Sequence, residues 1–182
     1  MMSNRTIVRH CSPTLAGLKT GSLFAVGKES QKELITELRS LNRLMRKKGL
    51  RAVVFKSKCG KCLVYIYRPD MLKQDLSKDE AVSILKDKGY STDNCDMCIA
   101  QLAKNLKQSK DFPHEIGLFL GYPPFDVKCF MNNSRENVKQ VGCWKVYGDE
   151  ETAEKKFRMY RKCTEVYCKK IDEGVSLEKL IV

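Results

Sequence analysis

The chain has 182 residues and a net charge of +12, from 34 Lys and Arg against 22 Asp and Glu. With 42 % apolar and 31 % charged residues it is too hydrophobic for disorder, and no apolar run reaches the roughly 20 residues that cross a bilayer. The opening "MMSNRTIVRHCSP" lacks a signal peptide's apolar stretch, so the expectation is one cytoplasmic domain over residues 1–182, with no membrane partner.

In chain order, "RHCSPTLAGLK" places His10 beside Cys11, ahead of a proline and a small-residue turn, and Lys19 follows in a segment that could cradle an anion. "ESQKELITELRSLNRLMRKKG" predicts a helix: Ser30 caps it with Glu33 returning the bond, Leu34, Leu38, Leu41 and Met45 make one apolar stripe, and Gly49 ends it. "LRAVVFKSKCGKCLVYIYR" then switches period, and two β-branched and aromatic runs around a Gly-containing turn predict a hairpin. Residues 63–67 are apolar on both faces, as in a central strand covered from both sides.

Short helices are expected over residues 69–76 and 77–88, the second with a Ser77/Glu80 capping box. "NCDMCIAQLAKNLKQ" predicts a helix with Ile99, Leu102, Ala103 and Leu106 inward. "FPHEIGLFLGYPP" predicts another, with His114 and Glu115 in its first turn after Pro113, and "DVKCFMNN" gives a further turn or two. "QVGCWKVYG" reads as a single strand, on which Cys143 and Lys145 share a face opposite Trp144. Over residues 149–172, Ala153, Phe157, Tyr160, Thr164, Tyr167 and Ile171 keep a 4-3-4-3-4 helical spacing. The sum is an α+β fold: a small, mainly antiparallel sheet of about three strands packed with several helices.

Nine cysteines in a reducing compartment are core thiols, metal ligands or reactive thiols, since an odd count cannot pair within one chain. Two CxxC pairs, Cys59 and Cys62 in the hairpin turn and Cys95 and Cys98 at a helix start, could supply four thiolates to one tetrahedral ion. The plainer account is that Cys95 and Cys98 continue the buried stripe through Ile99 and Leu102.

The second constellation is His10 and Cys11, His114 and Glu115, and Cys143 and Lys145. Converged, these would offer imidazole, thiol, carboxylate and ammonium to a transition metal, to a cysteine nucleophile with a histidine base, or to a bound anion. The cofactor is not named by the sequence; zinc or iron is what such donors take.

Three of these segments, "HCSPTLAGLKTGSLF" (10–24), "FPHEIGLFLGYPPFDV" (112–127) and "GCWKVYGDEETAEKKFRMYRKC" (142–163), together with "LVYIYRPDML", resemble the bacterial domain-of-unknown-function family 3793 over nearly the whole chain. The resemblance implies no activity. It implies that the phrases around His10, His114 and Cys143 are the family's signature, and that the CxxC pairs are not part of it.

The function expected is therefore a cleft lined by these His and Cys residues that binds a small ligand or metal. His114, Glu115 and Cys11 are its catalytic candidates, and His10, Lys19, Cys143 and Lys145 its ligand-binding ones. Charge and the paired CxxC motifs favour, as an alternative, a nucleic-acid-binding module; an adaptor docking an acidic protein through its basic last helix is the third reading. Whether turnover occurs is not legible.

Overall fold

The computed structural model describes residues 3–27, 31–57, 60–109, 111–132 and 137–182. An antiparallel sheet lies at its centre, formed by β1 (Gly21–Ala25), β2 (Arg51–Lys56) and β3 (Cys62–Tyr67) in the order β1-β3-β2. β3 pairs with both neighbours, Leu23 and Val53 each standing opposite Tyr65. Its side chains alternate as a strand's must. Val64 and Ile66 enter one core with Leu15, Leu34, Leu38 and Met45, while Tyr65 and Tyr67 enter another with Leu72, Leu85, Leu102 and Phe119. The run that reads as apolar on both faces is thus a strand with a core on each side.

The first core is closed by α1 (Asn4–Leu15), α2 (Gln31–Arg46) and α9 (Leu177–Leu180). The second is closed by α3 (Pro69–Leu76), α4 (Asp79–Asp87), α5 (Cys95–Gln108), α6 (Ile116–Phe119) and α7 (Pro124–Met131). A small hairpin, β4 (Gln140–Val141) and β5 (Lys145–Val146), leads into α8 (Glu150–Asp172), which packs along α1. The expected stripe on α8 holds: Ala153, Phe157 and Tyr160 are buried against Trp144 and Val146, and Tyr167 and Ile171 pack against the first core. Each such large side chain contributes about 1.5–3 kcal/mol by leaving water. Among the described residues no helix is long and apolar enough to cross a membrane.

Four local expectations are corrected. Residues 4–15 form a helix that was not anticipated; it runs through Pro13, and the small-residue turn follows it from Ala16. Ser3 caps it by accepting from the Thr6 N–H, and Pro13 sits near its end, where only one interior hydrogen bond is forfeited. Residues 21–25 form the third strand, because Gly21 lets the chain lie against the Tyr65 ring: a Cβ there would stand 2.6 Å from Tyr65 Cε2. Ser77 does not cap α4; its hydroxyl donates back to the Gln74 carbonyl and Lys78 takes the cap position. "QVGCWKVYG" is two short strands around a turn at residues 142–144, not one strand. The Ser30 cap lies outside the described residues.

Candidate functional site

The larger cavity, about 930 Å³, opens between α1, the β4–β5 hairpin and α8. Arg9 and His10 come from α1, Lys19 from the loop before β1, Cys143 from the hairpin turn, and Tyr160 and Arg161 from α8. The helical period explains the last two: Phe157 and Tyr160 belong to the buried stripe, and Arg161, one step beyond, turns toward the opening.

The charges in this cleft are unevenly matched. Glu154 is engaged by Gln140 and by Arg158, Glu165 by Lys162, and Arg5 by Asp172. Arg9 and Arg161 have no ion pair among the described residues. Lys19 has no ion pair among the described residues: its Nζ donates to the Gly21 carbonyl at 2.8 Å and lies 5.3 Å from the centre of the Tyr122 ring. Burial lowers its pKa to about 8, against the opposing pull of Cys143 and Cys11.

His10 stacks on Phe24, ring centres 4.9 Å apart and 5° from parallel. Burial first and Arg9 second lower its pKa, so at neutral pH the ring is uncharged and can accept a hydrogen bond. Cys143 is exposed, and desolvation raises its pKa despite Lys19 and Arg161 nearby. Tyr160 is pushed up to about 12, chiefly by burial, and remains a neutral hydroxyl.

A second cavity of about 380 Å³ lies on the other side of the same hairpin, and Val141 and Gly142 line both. Its walls are Phe112, Ile116, Tyr122, Val127, Phe130 and Trp144, with His114 and Lys145 as its basic groups. Trp144 stacks against Tyr122 at 5.0 Å and meets Phe157 edge-on at 4.6 Å.

The anticipated site therefore divides. His10, Lys19 and Cys143 share the larger cleft, whereas His114 and Lys145 line the smaller one. Cys143 and Lys145 do not share a face, because residues 142–144 turn instead of extending. Cys11 reaches neither cavity. It is fully buried in the first core, and desolvation pushes its thiol up to about 12, so it is no ready nucleophile. Glu115 is buried beneath α6, where its Oε1 accepts from the Tyr90 hydroxyl at 2.8 Å and, at 3.4 Å, from Asn105. That is a structural bond, and α6 is a four-residue turn rather than the longer helix expected.

The four-thiolate site is not assembled among the described residues. Cys62 is buried in the first core, whereas Cys98 is buried in the second and Cys95 packs against it, so the sheet separates them. Cys98 donates to the Ser91 carbonyl, and burial pushes Cys95 up to about 11. Cys59 lies outside the described residues. Among those described, no three His, Cys, Asp or Glu side chains are grouped to hold a metal ion.

Arg9, Arg161, Tyr160, Trp144 and Asp126 were not singled out as site residues from the sequence. Only the stripe on α8 carried a usable signal, since it fixes which α8 residues flank the buried face.

The model of the family described as "Protein of unknown function (DUF3793)" matches residues 7–181. No curated protein and no solved structure matches the chain.

Proposed function

We propose, for a chain that belongs to the family of proteins of unknown function DUF3793, that the larger cleft is a binding site for an anionic small molecule. The observation that carries this reading is the set of basic groups without a carboxylate partner among the described residues, Arg9, Lys19 and Arg161, on the walls of one open cavity whose acids are already engaged. Guanidinium forks at the mouth suit a carboxylate or phosphate, and the ammonium of Lys19 meets the same charge from below. The uncharged His10 ring and the Tyr160 hydroxyl add an acceptor and a donor, which suits an anion that also bears hydroxyl groups. The donor set favours such a ligand over a metal ion, because the imidazole and thiol here stand among cations.

The α8 surface supports this over a polyanion or acidic-protein partner. Lys155 pairs with Glu151, Arg158 with Glu154, Lys162 with Glu165 and Lys169 with Glu173, so much of that helix's positive charge is answered on the helix itself.

The test is calorimetric titration at low ionic strength with inorganic phosphate, citrate and a sugar phosphate. At least one should bind saturably, and Arg9→Gln with Arg161→Gln should each weaken it about tenfold, the range of a hydrogen bond to a charged group. If none binds, or the double variant binds as well as the parent, the reading fails.

A further inference from the structure

The smaller cavity has a different chemistry from the cleft across the hairpin, and its occupant follows from that chemistry. Its volume of about 380 Å³ falls within the range of small-molecule sites. The walls are nearly all aromatic or aliphatic, and the exposed faces of Phe112 (47 %) and Val141 (70 %) stand at its edge. Large apolar side chains left uncovered around an aromatic recess gain by covering with another flat apolar body. Gly117 keeps one side of the recess tight, since a Cβ there would stand 2.8 Å from Val127 Cγ2.

The polar groups decide the sign of the ligand's charge. Asp126 is the acid of this cavity, and it is committed inward. Its Oδ2 accepts from Trp144 Nε1 at 2.8 Å, and its Oδ1 accepts from the backbone N–H groups of Tyr147 and Gly148, each at 2.9 Å. It has no donor to gain from a ligand.

The groups that face outward are basic. Lys145 Nζ lies 5.3 Å from the centre of the Phe130 ring, and the His114 imidazole meets the same ring edge-on at 4.9 Å. Both side chains are exposed and neither has an ion pair among the described residues. A cationic guest would be repelled by Lys145, which already stands over the Phe130 ring. An anionic one would find an ammonium and an imidazole N–H beside it.

We infer that the recess framed by Trp144, Tyr122, Phe130 and Phe112 is a second ligand site, for a flat aromatic molecule carrying a carboxylate, its ring among these walls beside the exposed Phe112 and its charge toward Lys145 and His114. This site is independent of the anion cleft and stands whether or not that reading holds. The two share only the hairpin wall at Val141 and Gly142.

The chain has one tryptophan, so its indole N–H gives a single cross-peak in a nitrogen-15 correlation spectrum and reports this recess without assignment. The probes are 1-naphthoate, the neutral 1-naphthalenemethanol and choline. 1-Naphthoate should move the indole peak saturably, and the alcohol should bind about fivefold more weakly, as expected for losing one exposed ion pair. Lys145→Gln should bring 1-naphthoate down to the affinity of the alcohol, while Arg161→Gln, across the hairpin, should leave it unchanged. An unmoved peak at millimolar 1-naphthoate, equal binding of the alcohol, saturation by choline, or a loss from Arg161→Gln as large as that from Lys145→Gln would each overturn the assignment.

Discussion

Asp126 and Trp144 hold each other in place: the buried carboxylate accepts the indole N–H at 2.8 Å while its other oxygen anchors the backbone just beyond β5. Eighteen residues separate the two, and the bond joins α7 to the hairpin that divides the two cavities. Asp126→Ala strands three donors, at roughly 1–3 kcal/mol for each that water cannot reach. The expected outcome is an unfolding free energy lowered by several kcal/mol, read as a lower urea midpoint at unchanged slope, with tryptophan emission moved to the red. A loss below about 0.5 kcal/mol, the level of an ordinary surface substitution, would show that the bond does not hold the hairpin.

Two adjacent residues that read alike in the sequence should behave oppositely. Glu115→Ala removes the partner of the Tyr90 hydroxyl inside the second core and should cost about 1–3 kcal/mol. His114→Ala trims an exposed ring at a cavity edge and should leave stability within about 0.5 kcal/mol. Chemical denaturation of the two variants side by side checks this, and equal losses would contradict the placement of Glu115.

Thiol labelling separates the cysteines by position. Cys143 is exposed, whereas Cys11 is sealed in the core with its thiol pushed up to about 12. Iodoacetamide at pH 8 should therefore modify Cys143 in the native protein and leave Cys11 intact until urea unfolds it, as peptide masses would record. Native labelling of Cys11 at a comparable rate would mean that α1 opens far more readily than its packing allows. Any anion that fills the cleft should slow modification of Cys143.

Lys19 makes a pH prediction with a definite sign. Burial holds its pKa near 8 in the fold, against 10.5 ordinarily. Below pH 8 both folded and unfolded chains are protonated and the fold bears the whole desolvation cost. Between pH 8 and 10.5 the unfolded chain keeps the proton that the native state has released, so this group's contribution to stability rises with pH. Thermal melts of the protein and of Lys19→Met should show the parent gaining on the variant from pH 8 to 10, because the other titrating groups are common to both. A gap independent of pH would place the Lys19 pKa near its ordinary value.

Much of the architecture was legible. The stripe from Leu34 to Met45, the hairpin of β2 and β3, and the 4-3-4 spacing along α8 each repeat with the period of the element they form, and a period survives without knowledge of its neighbours. β1 and α1 were not legible. "TGSLFA" is too short and mixed to show alternation, and it is a strand because β3 offers it an unpaired edge. In α1, Pro13 suggests a stop by local rules, and packing against α8 carries the helix through it.

The site divides along the same line. Which residue types are scarce, and that His10, His114 and Cys143 fall in the chain's most distinctive segments, was visible in the chain itself. Which of them meet was decided by a turn at residues 142–144 and by the sheet. The turn sends Cys143 to one cavity and Lys145 to the other, and the sheet puts Cys62 and Cys98 in separate cores. Periodicity is a property of neighbours along the backbone. Convergence of side chains depends on contacts between segments more than a hundred residues apart, and on which of them lose water when those segments pack.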